Sequence, residues 1–284
     1  MCTSQKQVGQ KARRKRKKMK KIVSLLLAVA LLCGCVAMLG SCGGDEKNEL
    51  VIYTEAGFAP YEFVYENKIV GVDIKIMEAV AAKLGKTLVV EDVAFDSIIG
   101  AVKSGKADAG AAGITITGER AEEVDFSIPY SSTEQYVIVK ADNTTITNLE
   151  TMKGKNVGVQ QGTTSDFLVS ELISEGGLAG STLTPYEAPA LAAAALGTKI
   201  DAVVTDKLTA EVIVASSNGA YKTFKFTKAD GSDVAEVEEY GIAVAKGNAE
   251  LLATINEVLT ELLANGSIAA WEKEYNDLYS QIEE

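Results

Sequence analysis

Histidine is missing from all 284 residues. Its absence removes the commonest metal ligand, the commonest general base and any Ser/His/Asp triad, and most hydrolase chemistries go with them. Cysteine is confined to Cys2, Cys33, Cys35 and Cys42. Beyond residue 42, therefore, neither a disulfide nor thiol chemistry is available. No acidic residue precedes Asp45, whereas ten of the 28 Lys and Arg lie within the first 21 positions. Without that leader, 18 basic residues face 39 acidic ones, a net charge of −21 that makes nucleic acid an unsuitable partner. A phosphate-binding loop is also lacking. Gln160-Gln-Gly-Thr-Thr-Ser165 is the nearest approach, and it has neither the lysine nor the spacing that a nucleotide requires. No cofactor is expected, and no metal.

What is present begins with the leader. The basic run is followed by Ile22 to Leu32, almost wholly apolar, the n-region and h-region of an export signal. Interrupted apolar residues continue to Leu39, so a retained membrane anchor is the competing reading. Leu39-Gly-Ser-Cys42 resembles the bacterial lipobox, in which the cysteine is acylated and becomes the new N-terminus. Leu32-Cys-Gly-Cys35 is a second candidate, but the polar tether Gly43 to Asn48 directly follows Cys42 and favours it. The expected division is a signal peptide over 1–41, with Met19-Lys-Lys as an alternative start, then the lipidated cysteine and tether over 42–48.

From Glu49 the pattern alternates short apolar strands with amphipathic helices. Glu49 to Thr54 reads as a strand, and Glu55 to Tyr61 as a Gly/Pro loop at its C-terminal end, where open α/β sheets bind ligands. Phe58 in that loop and Phe95 at the next strand-to-helix junction could sandwich a planar group, though each singly also suits the core. Glu62 to Val70 predicts a hairpin turning at Glu66-Asn67, and Ile74, Met77, Ala81 and Leu84 predict a helix stopped by Gly85. The most informative stretch is Asp108 to Arg120. Ala109 to Ile114 suits a strand buried on both faces, Thr115 and Thr117 add hydroxyls, and Thr117 suits a helix N-cap that puts Arg120 in the first turn. An arginine there can hold a carboxylate through two parallel N–H bonds, with a third from Thr115; a surface ion pair with Glu122 or Glu123 is the plainer alternative.

Glu134 to Lys140 opens a second series of strands and helices. Gln160 to Ser165 directly precedes a helix over Asp166 to Ser174, whose N-terminal amides suit an anion. Asp201 to Thr205 is a strand that delivers Asp206 at its C-terminal end, either to meet an ammonium or to cap the next helix. Tyr221 to Thr227 and Glu239 to Ala245 read as strands. Two helices close the chain, and Trp271 in the last is expected to pack rather than bind.

Taken together, Gly57-Phe-Ala-Pro-Tyr-Glu-Phe63, Val70-Gly-Val-Asp73, Phe95-Asp96, Gly113-Ile-Thr-Ile-Thr-Gly-Glu-Arg120, Val124-Asp-Phe-Ser127, Gly162-Thr-Thr164 and Asp201-Ala-Val-Val-Thr-Asp206 resemble, in order, the extracytoplasmic amino-acid-binding proteins of ABC importers, solute-binding family 3. The resemblance spans residues 49 to 280. It implies an α/β, two-lobed, type II periplasmic-binding-protein fold, each lobe a sheet flanked by helices, with lobe 1 over 49–135 plus 241–284 and lobe 2 over 136–240. The hinge strands are expected near Glu134 to Lys140 and Glu239 to Ala245. It further implies that Arg120, Thr115 and the backbone amide of Thr164 bind an α-carboxylate. Asp206 and the Gly113 carbonyl would take an α-ammonium, Phe58 and Phe95 would flank the side chain, and Glu55 and Gln160 would line the specificity end. Many relatives carry Asp or Asn where this chain has Glu55, so the pocket length differs. The partners implied are a free polar amino acid, with a cationic or amide side chain suited to Glu55, and a membrane permease. The protein itself is expected to be a lipid-anchored monomer on the outer face of the cytoplasmic membrane. The competing function is an enzyme on the same scaffold, such as a cyclohexadienyl (arogenate or prephenate) dehydratase with Glu55 as its acid or base; a sensor module acting through a separate receptor is a third.

Overall fold

The computed structural model describes residues 48–282. The expected export signal, the expected lipidation site at Cys42 and all but the last residue of the expected tether lie outside them. Two five-stranded sheets dominate, built to one plan. In the first, Thr87–Asp92, Glu49–Thr54 and Ala109–Gly110 run parallel in that spatial order, followed by Ala243–Ala245 and Val124–Phe126 with antiparallel pairings. The second has Thr182–Tyr186, Asn156–Gln160 and Ala202–Asp206 parallel, then Gln135–Lys140 and Tyr221–Lys225 antiparallel.

Each sheet thus receives one strand from chain that has just left the other. The link is a separate antiparallel pair, Ser131–Thr133 with Glu238–Tyr240, in the register Glu238↔Thr133 and Tyr240↔Ser131. Ser131–Thr133 ends just before the expected hinge segment Glu134 to Lys140, and Glu238–Tyr240 overlaps the start of the expected segment Glu239 to Ala245. Gln135–Lys140 and Ala243–Ala245 are already inside the second and first sheets. The ladder breaks at Gly241-Ile242, which divides the single strand expected over Glu239 to Ala245.

Alternation along the strands assigns side chains to opposite faces, because successive Cβ atoms point to opposite sides of a sheet. In the second sheet Val137, Val139, Ala202 and Val204 join one core with Met152, Val169 and Phe226. Their neighbours Ile138 and Val203 join the other, against Ala192, Ala193 and Ile213. The first sheet likewise packs Leu50 and Ile52 against the helix Val72–Leu84 and the C-terminal helices Ala249–Ala264 and Ser267–Tyr279. Trp271 is a partly buried member of that layer. The predicted hairpin is Glu62–Tyr65 with Lys68–Val70, and Glu66 and Asn67 take the positive φ values its tight turn needs.

Two local expectations are corrected. The strand predicted over Ala109 to Ile114 is only Ala109–Gly110. Beyond it the chain turns at Gly113, whose φ of 54° is in the left-handed region, and a Cβ there would sit 2.9 Å from the Phe58 ring. Glycine is required twice over, by conformation and by space. Asp96, which by residue type and its place just before an apolar helical stretch reads as an N-cap, does not cap its helix. It lies in a short 3₁₀ turn, Phe95–Ser97, and the helix Ile98–Lys103 follows from Ser97.

Candidate functional site

The C-terminal ends of the parallel strands face one another across the gap between the sheets. From the first come Phe58, just after Glu49–Thr54, and Gly113 and Thr115, just after Ala109–Gly110. From the second come Gln160 and Asp206, each the last residue of its strand. Phe58, Phe95, Gly113, Thr115, Arg120, Gln160, Thr164 and Asp206 all line one small cavity of about 10 Å³, together with Ala112 and Thr163. Of the residues singled out from sequence, only Glu55 is outside that lining. It is joined to it by Gln160, whose Nε2 donates to Glu55 Oε2 at 2.7 Å and to the Glu187 carbonyl at 3.0 Å.

Arg120 is positioned as its sequence suggests. Thr117 caps the short helix Gly118–Glu123 by accepting from the Arg120 amide. The guanidinium donates to the Thr115 carbonyl at 2.8 Å and, across the gap, to the Gly162 carbonyl at 3.1 Å. It also stands 5.3 Å above the centre of the Phe95 ring. One face of Phe95 is therefore already covered by a cation. No carboxylate among the described residues forms an ion pair with Arg120, and burial lowers its pKa. The charges of Glu238 and Asp206 favour the cation from a distance, and an anion placed against the guanidinium would add the direct partner that it lacks.

Asp206 holds the N-cap position of the helix Lys207–Ser216, yet its side chain makes no cap bond. Instead it accepts from the Tyr240 hydroxyl and from Gln135 Nε2, the latter at 2.8 Å. Burial, assisted by Glu238, pushes its pKa up to about 7, against the pull of those hydrogen bonds and of Arg120. Cavity and Asp206 thus combine a desolvated carboxyl with free acceptor capacity, which suits an ammonium. Glu55 is likewise raised to about 7, first by burial and then by Asp92 and Glu187, with Gln160 and the Gly57 amide opposing. Three carboxylates therefore bear on the Glu55 end, and a cation there would relieve all of them.

Two parts of the site were not legible beforehand. Thr115 does not have its hydroxyl hydrogen free for a ligand carboxylate, because it donates to Glu238 Oε2 at 2.8 Å. Thr164 donates to the same oxygen at 2.7 Å. Neither Glu238 nor Gln135 was singled out from sequence. A signal for Gln135 exists: it shares strand parity with the core residues Val137 and Val139, and a polar side chain in a buried row needs a partner. Glu238 has only its parity with Tyr240 to mark it. Phe95, Thr115, Arg120 and Thr164 also line a larger open groove, and Glu238 is in its wall. Among the described residues, no cluster of acidic side chains could hold a metal ion, and no helix is long and apolar enough to cross a membrane.

Residues 50–277 match the model of the bacterial extracellular solute-binding proteins, family 3. The arginine-binding extracellular protein ArtP of Bacillus subtilis is 31% identical over 260 residues, covering 90% of this chain and 98% of ArtP. An ancestral arginine-binding protein solved with arginine is 39% identical, with a TM-score of 0.71 over 80% of this chain and 98% of that one. An ancestral arginine-binding protein solved with glutamine is likewise 39% identical, with a TM-score of 0.70 over 80% of this chain and 97% of that one.

Proposed function

The chain belongs to the bacterial extracellular solute-binding proteins, family 3, and from that premise we propose that its ligand is a free L-amino acid with a cationic side chain, arginine foremost. The protein binds an amino acid outside the cytoplasm for an ABC transporter and is not an enzyme. The observation that carries the finer reading is the placement of charge in one cavity. Arg120, unpaired, comes from the first half of the fold, Asp206 comes from the second, and Glu55 stands beyond Gln160. A zwitterion away from water needs both its poles matched, and these two residues match them.

In this arrangement Arg120 and the N-terminal amide of the helix Thr164–Ser174 take the α-carboxylate. Asp206 and the Gly113 carbonyl take the α-ammonium. A guanidinium then extends toward Glu55, which Asp92 and Glu187 support. ArtP and the ancestral protein, both named for arginine, support this assignment. The ligand touches both lobes, so it favours closure by its differential affinity for the closed form. We place the lobe boundaries near residues 135 and 241, the lipid on Cys42, and the protein on the membrane surface as a monomer beside its permease.

Glutamine is the second reading. Gln160 and Glu55, ionised or protonated, pair with an amide, and an ancestral neighbour has been solved with glutamine. A thermal-shift panel of free amino acids decides between them. A ligand at a hundred times its dissociation constant adds about 2.7 kcal/mol, a shift readily seen. The result that would sink the reading is a melting point unmoved by every amino acid in the panel.

A further inference from the structure

Two carboxyl groups are sealed in the core against the first sheet, and the ligand contacts proposed above use neither. Glu62 and Asp73 are both 0% exposed, and Tyr61, Phe63 and Tyr130 belong to the same core. Backbone pairing brings their segments together. The Asp73 amide donates to the Tyr61 carbonyl at 3.0 Å, and a Cβ on Gly71 would lie 2.0 Å from that same oxygen. Asp73 Oδ2 accepts from the Gly113 amide at 2.9 Å. Asp73 Oδ1 and both Glu62 oxygens have no hydrogen-bond partner, and the Tyr130 hydroxyl bears on Asp73 without a well-formed bond. Buried acceptors left alone in apolar surroundings are costly, so this group calls for a hydrogen. Asp73 and Glu55 bear on Glu62, and Tyr130 and Glu272 bear on Asp73; none of them is a lysine or arginine. With no cation at hand, one proton is what supplies it.

We propose that Glu62 is a positioning residue for the ligand site, whose carboxylic acid donates its hydrogen to Asp73 and so holds ionised the carboxylate that fixes the Gly113 turn. Burial first, then the charge of Asp73, push Glu62 well above the ordinary carboxylate range. Asp73 is also raised by burial, to about 7, but Tyr130 and the Gly113 amide favour its charged form, so the proton belongs on Glu62. Moving it to Asp73 would leave a neutral and weaker acceptor for the Gly113 amide, and the turn would loosen. That turn lines the cavity, against the Phe58 ring. Neither acid is in the cavity wall, so Glu62 acts through Asp73 and Asp73 through Gly113. The inference rests on the amino-acid reading above, in which Gly113 meets the ligand.

The test joins infrared spectroscopy to isothermal titration, both at pH 8. There Glu55, Asp73 and Asp206, with values near 7, are mostly ionised, so the carboxylic-acid carbonyl band that remains should belong to Glu62. It is expected in the wild type and in Asp73→Asn and absent from Glu62→Gln. A wild type without the band, or a band that persists in Glu62→Gln, overturns the proposal. With L-arginine as the titrant, Glu62→Ala should bind about tenfold more weakly, whereas Glu62→Gln, whose amide donates in place of the acid, should stay close to the wild type. Adding Glu62→Ala to Asp73→Ala should cost nothing further, because one acts through the other. Equal losses in Glu62→Ala and Glu62→Gln, or independent losses in the double variant, overturn the positioning role. Should Glu62→Ala not fold, Glu62→Met, closer in volume and without a donor, carries the same expectation. A wild type that binds no amino acid overturns the reading of the site instead, and the band then decides the Glu62 proton by itself.

Discussion

Raising the pH from 6 to 8 should tighten arginine relative to glutamine by about tenfold. The perturbed group is Glu55, held at about 7 by burial and by its neighbours Asp92 and Glu187. With that value its carboxylate is ionised to roughly 0.1 at pH 6 and 0.9 at pH 8. A guanidinium requires the ionised form, so the apparent association constant follows that fraction and levels off above pH 8. An amide places no such demand. Asp206, also near 7, titrates in the same window, but it serves the α-ammonium common to both ligands and cancels in their ratio. The assay is calorimetry in buffers of different ionisation enthalpy. At pH 7, arginine should release about half a proton more than glutamine does. Glu55→Gln should abolish the difference and make the ratio flat. A ratio that stays constant from pH 6 to 8 in the wild-type protein, or an equal slope in Glu55→Gln, refutes the assignment of Glu55 to the ligand's cation.

Arg120→Lys should weaken every accepted amino acid by a similar factor, about ten- to a hundredfold, since lysine cannot form the paired bonds, whereas Glu55→Gln should change their ranking; one titration series measures both. The unliganded protein should lose stability as pH rises from about 4 to 7. Glu55, Asp73 and Asp206 have folded-state values near 7, so in that window the folded state binds more protons than the unfolded chain. Asp73→Asn should flatten the thermal midpoint against pH, with about 4 kcal/mol as the ceiling for a shift of that size in one group. Gly113→Ala should lower the midpoint and impair binding together, by roughly 1–3 kcal/mol in stability, because its φ of 54° and the Phe58 ring both oppose a side chain. Cys42→Ala should move the protein from the membrane fraction to the medium; intact mass spectrometry of the wild type would show whether the N-terminal cysteine carries a lipid.

How much was legible follows from how local each feature is. Thr117 as a cap, the Glu66-Asn67 turn and the position of Arg120 in its helix depend on a few neighbouring residues, and the structure has them as expected. The order of strands and helices follows from periodicity, which is also local. Harder were the strand ends near the site. Apolarity extends through Ala109 to Ile114, but pairing stops at Gly110 because the chain must turn at Gly113 to meet Phe58. Phe95 was read as a face for the ligand, and the distance to Arg120 that covers one of its faces has no counterpart in the sequence.

By itself the amino-acid sequence determined the class of chemistry: no histidine and no thiol beyond Cys42, an acidic chain from Asp45 onward, an arginine on a capped turn and an aspartate at a strand end. Only the tertiary structure decided how those groups are used. Thr115 and Glu238 are 123 positions apart, and Asp206 and Tyr240 are 34 apart. Their bonds exist because a two-stranded connection brings Glu238 and Tyr240 back between the two sheets. The direction of a hydroxyl hydrogen and the pKa of a carboxyl depend on which groups and how much water surround them. Those surroundings are assembled by packing, from residues that no short stretch of chain contains together.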